Sequence, residues 1–398
     1  MSLTFDPLES LLAAIVCLLL GAAVNRRVGF LSKYNIPDPV TGGLLFAVFV
    51  SIAAEWGEAQ ISLNATLKPV LLLMFFAGVG LGADLRLLKV GGKALALFMV
   101  VLFPFLILQN VVGVAAAQAL DLHPIFGLIA GSITLVGGHG TGAAYAERFA
   151  EVNNLQSVME LSMTSATIGL VLGGIVAGPV AQYLINRHRL RSRSTEATTE
   201  FTEPELGPPI TALGVMGALA GILAAVLVGQ WLAERFHDLP VTIPGFVWCL
   251  IVGVAIRNVA PLVGLHFDDR ATELIAGVSL ALFLVMTMMA LNLVEVVLTA
   301  GPLVLIVLLQ VVAIVAYAIW VCFRFMGRDY EAVTTTAGFI GFNLGSTATA
   351  IANMQAITGK YGPAPKSFLI VPLAGAFFVD LLNAAVLTVF LSLGFIGG

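Results

Sequence analysis

The sequence predicts an all-α integral membrane protein: ten transmembrane helices plus two re-entrant hairpins, arranged as two inverted five-helix repeats. Three observations carry that expectation. Of 398 residues, 59% are hydrophobic and 11% charged, with a mean hydropathy of +1.01, whereas a soluble domain carries about 25% charge. Ten apolar runs are long enough to span a bilayer, which takes roughly 20 residues. Two glycine-rich polar stretches, Gly131–Gly142 (GSITLVGGHGTG) and Gly338–Thr349 (GFIGFNLGSTAT), lie about 205 residues apart, half the chain.

The apolar runs fall at about 8–25, 38–54, 67–83, 94–119 and 157–185, then 210–233, 242–260, 272–294, 300–323 and 367–394. The glycine-rich segments, about 124–149 and 332–358, are long enough either to cross or to enter and return. The excess of Lys and Arg on cytoplasmic loops decides between the two. With the N-terminus outside and both segments re-entrant, 16 of the 19 basic residues face inside, leaving Lys68, Arg148 and Arg235 outside. If both segments cross, the split is 10 to 9 and the bias vanishes. The first N-terminal run, without a basic leader or an obvious cleavage site, reads as a retained first helix.

Five crossings per half is an odd number, so the second half enters from the opposite face. The expected organisation is therefore a first inverted repeat over 1–185, a cytoplasmic linker over 186–209 and a second inverted repeat over 210–398, with both termini outside. Weak internal similarity agrees. Ile36-Pro37-Asp38-Pro39-Val40 resembles Val241-Thr242-Ile243-Pro244-Gly245, and Leu73–Phe76 is matched by Leu280–Phe283. The linker opens on the basic run Arg187–Arg193 and continues in Ser, Thr, Glu and Pro; it reads as a flexible connector whose charges help set topology.

The net charge of −4 and the lack of a basic patch give no reason to expect nucleic acid. Cys17, Cys249 and Cys322 sit in apolar runs and read as small core residues. No His/Cys/Glu cluster has the spacing of a transition-metal site, and no organic cofactor is implied.

Backbone that leaves the helix at membrane depth is tolerated only where protein or a watery cavity satisfies its polar groups. A matched pair of such breaks, one per half, points to the binding site of a secondary transporter. In the first, Gly137, Gly138 and Gly140 let the backbone approach a ligand closely. A half-helix starting there aims its positive N-terminus at the site, which suits a carboxylate. Ser132, Thr134 and Thr141 add hydroxyls, and His139 is a candidate proton carrier or donor to a carboxylate. In the second, Asn343, Gly345, Ser346, Thr347 and Thr349 offer hard oxygens of the kind Na+ accepts; Asn353 and Gln355 extend that lining. Small residues also serve close helix packing, and a membrane Ser or Thr commonly bonds its own backbone. It is the clustering that favours a site.

Asp380 is the sharpest single residue. It sits mid-span between Phe377-Phe378-Val379 and Leu381-Leu382. An unpaired carboxylate there costs at least about 2.5 kcal/mol. No Lys or Arg lies mid-span in an apolar run, so Na+, a substrate ammonium or a proton must answer it. Asn383, three residues on, shares its helical face. Glu160, near a helix end, reads as a rim residue. Pro104, Pro179, Pro302 and Pro372 can kink their helices.

At these stretches the chain resembles the bacterial sodium/glutamate symporter family. The resemblance rests on Gly131–Ala144, on Thr349–Thr358 and on Val371–Asp380, and extends to Ile36-Pro37 and the central linker. The chain departs from that family's pattern at Phe339-Ile340, where the family carries His-Cys, and at Asn343 and Ser346, where it carries small residues. What the resemblance implies is a homodimeric, multi-pass protein of the bacterial inner membrane, with periplasmic termini. It would take up L-glutamate with Na+ by an elevator motion. The substrate-binding set would be Ser132, Thr134, Gly137, Gly138, His139, Gly140, Thr141, Asn343, Gly345, Ser346 and Asn383; Na+ would meet Asp380, Thr347, Thr349 and Asn343. The residues themselves leave three other readings open: a symporter of another small carboxylate, a passive channel, and an intramembrane enzyme, for which nothing pairs a nucleophile with His139.

Overall fold

The computed structural model describes residues 2–57, 60–152, 157–192, 209–236 and 243–397. Arg193, the body of the linker over 193–208 and Val241-Thr242 of the repeated motif lie outside them. The described chain is helical apart from two three-residue strands, β1 (Ser2–Thr4) and β2 (Gln60–Ser62), paired in parallel. In chain order the first helices are α1 (Pro7–Arg27), α2 (Gly29–Lys33), α3 (Asp38–Gly57), α4 (Lys68–Gly82), α5 (Leu87–Ala119) and α6 (Pro124–Leu128). Next come α7 (Gly138–Val152), α8 (Val158–His188), α9 (Ala212–Arg235), α10 (Gly245–Val259), α11 (Asp269–Met289) and α12 (Leu293–Tyr317). The last are α13 (Phe323–Phe325), α14 (Tyr330–Leu344), α15 (Thr347–Tyr361), α16 (Pro365–Leu373), α17 (Val379–Leu391) and α18 (Gly394–Gly397).

Polar residues start several of these helices. Asp6 and Glu9 form a reciprocal cap on α1, with Pro7 at its first position and Arg26 and Arg27 in its last turn. Asp268, Asp329 and Ser346 cap α11, α14 and α15 by accepting backbone N–H groups. Such caps satisfy donors that a helix start otherwise leaves orphaned.

Among the described residues, seven helical segments are long and apolar enough to cross a membrane: Pro7–Arg27, Gly91–Ala119, Val158–His188, Ala212–Arg235, Gly245–Val263, Asp269–Met289 and Gly301–Phe325. The protein is thus a multi-pass membrane protein. Asp38–Ala53, Lys68–Gly82, Pro124–Ile133 and Val379–Leu391 are shorter apolar helices. The run expected at 367–394 is not one regular helix. Pro372 lies inside α16, and a π-helical turn, Ala374–Phe378, separates α16 from α17, consistent with a proline that breaks the backbone ladder. Two more π-helical turns occupy Ile129–Ile133 and Ala318–Cys322.

The chain divides into two compact units, each drawing on both halves of the sequence. The first comprises 1–83, 143–161 and 210–300. Its core sets Ala77 and Leu81 of α4 against Ile222, Ala225 and Val226 of α9 and Cys249 and Val252 of α10. A second cluster joins Ala14 and Cys17 of α1 to Val285, Met286 and Met289 of α11. The Ile36–Val40 motif is held by Asn25, whose Nδ2 donates to Ile36 O (2.9 Å) and Asp38 Oδ1 (2.7 Å) and whose Oδ1 accepts from Thr41 (2.8 Å).

The second unit comprises 84–142, 162–209 and 301–398, and holds both glycine-rich breaks. Its apolar core is aromatic. Phe339 is fully buried against Phe98, Phe105 and Tyr317, with ring centroids 5.3–6.0 Å apart. Tyr317 is tied in turn by its hydroxyl to Val101 O (2.8 Å). Phe339 and Ile340, where the chain departs from the family pattern, are therefore packing residues here.

Candidate functional site

In the second unit α14 and α15 form an antiparallel pair joined by a two-residue break, Gly345-Ser346. The pair is fastened at its root, where the Tyr330 hydroxyl donates to Gly362 O. At its tip Ser346 Oγ accepts from Thr349 N (3.2 Å) and contacts Thr349 Oγ1 (3.1 Å). The other break runs from the π-helical turn Ile129–Ile133 to the start of α7 at Gly138. Gly138 has φ +66°, a conformation that glycine adopts freely and a β-branched residue almost never does. An ideal Cβ on Gly138 would lie 3.9 Å from Gly345 O. The two breaks, about half the sequence apart, thus meet at their tips.

Each tip begins a helix of 15 residues, α7 and α15. The first amides of a helix have no intrahelical acceptor. Those of Gly138, His139 and Gly140 on α7, and of Thr347 and Ala348 on α15, bring two positive helix ends to one place. Ala348, between the buried walls of the break, is exposed. Oxyanions are the ligands that such convergent N–H groups favour.

The last span touches both tips. Thr347 Oγ1 donates to Gly375 O (3.2 Å) in the π-helical turn Ala374–Phe378. Asn383 Nδ2 donates to Ser132 O (3.0 Å) at the other break. Asp380 lies between those two anchors in sequence, half-buried, with no hydrogen bond or ion pair of its carboxylate among the described residues. A π-helical turn beside a half-buried ionisable group is a common signature of a functional locus.

Several expected residues have roles within the fold. Thr134 Oγ1 bonds Ile129 O (2.6 Å) and Ser165 Oγ (2.7 Å), and Thr141 N bonds Gly137 O (3.4 Å). His139 Nε2 meets Thr167 Oγ1 at 3.0 Å, while Thr167 donates its one hydroxyl proton to Met163 O (2.9 Å). His139 must then donate through Nε2, which fixes its tautomer. Asn353 Nδ2 binds Gly173 O (3.0 Å), and Gln355 is exposed. In the first unit Glu160 Oε1 accepts from Asn292 N (3.2 Å), a fold contact near the helix end.

Sequence reasoning missed the amides behind the tips: Gln109 and Asn110 on α5 and Gln310 on α12. Gln310 Nε2 donates to Gln109 O (2.8 Å), and Gln109 Nε2 donates to Asn343 O (3.0 Å). Asn110 Oδ1 accepts from Ser132 N (3.1 Å). Asn343 Nδ2 is taken by Phe339 O (2.8 Å). Because the amide nitrogens of Gln109, Gln310, Asn343 and Asn383 each hold a carbonyl, their orientations are set and their oxygens remain. Gln109 Oε1, Gln310 Oε1, Asn343 Oδ1, Asn383 Oδ1 and Ser132 Oγ are buried without a partner among the described residues. Unfilled hard oxygens suit an alkali cation. The signal for these residues was an amide pair and a lone glutamine inside otherwise apolar spans.

The family model described as "Sodium/glutamate symporter" matches residues 3–363. The chain belongs to the sodium/glutamate symporter family. It is 40% identical over 395 residues to the "Sodium/glutamate symporter" of Haemophilus influenzae (strain ATCC 51907 / DSM 11121 / KW20 / Rd), covering 98% of each chain. It is 41% identical over 397 residues to the Escherichia coli (strain K12) protein of that name, covering 99% of each. Membership makes this a transporter rather than an enzyme. The solved sodium proton antiporter MjNhaP1 of Methanocaldococcus jannaschii aligns over 98% of this chain and 100% of that one, at 16% identity and a TM-score of 0.36.

Proposed function

We propose that this sodium/glutamate symporter family member takes up L-glutamate with Na+ across the bacterial inner membrane. The observation that carries the reading is the meeting of two helix N-termini at Gly138 and Gly345, with Asp380 between the residues that bond each tip. The amides that open α7 and α15 hold substrate carboxylate, and Thr141 and Ser346 add hydroxyls. Asp380 supplies the negative charge that a cation, Na+ or the substrate ammonium, meets. Asn343, Thr347, Thr349 and Asn383 supply neutral oxygens, backed by Gln109 and Gln310. His139, donating to Thr167, orients the first turn of α7. An inward-negative potential contributes about 2.3 kcal/mol per net charge per 100 mV, so Na+ entry drives an anion uphill when net positive charge moves.

Ten crossings and two re-entrant hairpins form inverted repeats, with both termini periplasmic and the linker cytoplasmic. The tie between the two ends of the α14–α15 pair supports a hairpin that returns to its side of origin. Each compact unit drawing on both halves supports paired repeats. A homodimer working as an elevator completes the proposal.

Purified protein in liposomes tests it. Labelled glutamate should accumulate saturably under an inward Na+ gradient and stop when choline replaces Na+. No uptake, or uptake indifferent to Na+, overturns the reading, and the latter favours a passive channel. Stronger competition by an unlabelled hydroxy-acid or another dicarboxylate would reassign the substrate.

A further inference from the structure

Within the second unit a cleft of about 430 Å³ opens where α8 ends, α14 begins and the loop after α15 returns. Arg189, Arg191 and Arg328 line it together with Asp329 and Glu331. All three arginines are exposed, and none of their guanidinium groups has a hydrogen bond or ion pair among the described residues.

The two carboxylates form no ion pair with them among the described residues. Asp329 Oδ1 is used to cap α14 through Ala332 N (2.8 Å). Glu331 Oε2 accepts from Ser367 N (2.9 Å) and Ser367 Oγ (2.8 Å), and Oε1 accepts from Lys366 N (3.3 Å). Both acids thus serve helix starts, leaving the guanidinium forks available.

The wall is also built rather than loose. Ser192 Oγ donates to Pro363 O (2.7 Å), fastening the chain just after Arg191 across the cleft. Leu190 N bonds Ile185 O (3.1 Å), closing the end of α8. His188 packs on Phe323 at 5.1 Å. Arg189 (φ +52°) and Arg328 (φ +58°) both adopt left-handed backbone, a region uncommon for residues other than glycine, asparagine and aspartate. The fold therefore places two arginines, in a conformation they rarely take, on one cavity.

We propose that this cleft binds a phosphate-bearing anion, either the phosphodiester headgroup of an anionic phospholipid or free phosphate. Guanidinium forks match phosphate oxygens in bidentate geometry, and three forks offer more donors than one carboxylate can accept. Basic pockets at membrane helix ends collect such headgroups. Arg189 and Arg191, beyond any topological role, then have a ligand, and the bound anion joins the end of α8 to the root of the α14–α15 pair.

The test uses the full chain in neutral detergent, with phosphatidylglycerol and phosphatidylcholine followed by native mass spectrometry and labelled inorganic phosphate by equilibrium dialysis. Arg189→Asn with Arg328→Asn is the variant, since asparagine tolerates left-handed backbone; Arg26→Gln with Arg27→Gln is the control. One saturable phosphatidylglycerol per chain is expected, at least about tenfold tighter than phosphatidylcholine. The variant should weaken it by about tenfold or more, and the control should not. Phosphate binding with the same variant dependence assigns the ionic group alone as ligand. Phosphatidylglycerol without phosphate assigns the lipid. Should the double variant fail to fold by circular dichroism, Arg189→Lys with Arg328→Lys replaces it, with a smaller weakening expected. The proposal is overturned if neither probe saturates, if the variant binds as the native chain does, or if glutamate displaces the lipid.

Discussion

The two tips solve one problem in different ways. The break at Gly345-Ser346 caps its own helix start through Ser346, and Asn343 bonds Phe339 four residues back, with Gln109 of α5 on Asn343 O and Thr347 on Gly375 O as outside ties. The break at Ser132–Gly138 is stabilised from outside, by Asn110 of α5 on Ser132 N and Asn383 of α17 on Ser132 O. A tip that caps itself can be read locally; a tip held by distant amides depends on the packing of three helices. It follows that losing the Ser346 cap should act mainly on the start of α15, whereas losing a brace at Ser132 should act on the packing of α5 and α17 as well.

The largest effect is expected where one span serves both tips. Asp380→Asn should raise the Na+ concentration for half-maximal uptake at least about tenfold, given that hydrogen bonds to a charged group are worth roughly 1.5–3 kcal/mol. Unchanged Na+ dependence in liposomes would remove Asp380 from the ion site. Next, Gly138→Val should reduce uptake severalfold, because a β-branched residue at φ +66° carries strain of order 1–3 kcal/mol beside Gly345. Gly138→Asn, which tolerates that backbone, should recover part of it; equal loss in both would point to crowding instead of strain.

A smaller effect is expected at the long-range support. Asn383→Leu removes the amide on Ser132 O and should lower thermal stability by about 1–3 kcal/mol, the cost of a buried group left unpaired. Ser346→Ala should be mildest, since losing a helix cap costs about 0.5–2 kcal/mol and the root of the pair is untouched. If Ser346→Ala proved as damaging as Asn383→Leu in thermal melts and uptake, the contrast between a self-capped and a braced tip would collapse.

Much of this was legible in one dimension. The breaks at 131–142 and 338–349 fall where glycine runs and hydroxyls interrupt apolar sequence, and the apolar runs match most helices to within a few residues. Asp380 stood out because a carboxylate in lipid needs a partner. The bracing amides did not stand out, because Gln109 and Gln310 lie 234 and 33 residues from Asn343 and no local pattern links them. The Ala374–Phe378 turn was also hidden: Pro372 announces a kink, but nothing local marks Gly375 O as the acceptor for Thr347. Nothing near Phe339 in sequence signals its packing, because its aromatic neighbours come from α5 and α12.

The tie between Tyr330 and Gly362 gives the α14–α15 pair the mechanics of a tuning fork clamped at its stem. Glu331, anchored on Ser367, tightens the clamp. Deuterium should therefore enter the backbone first near Gly345 and last near Tyr330. Cutting the stem with Tyr330→Phe should flatten that gradient along the whole finger.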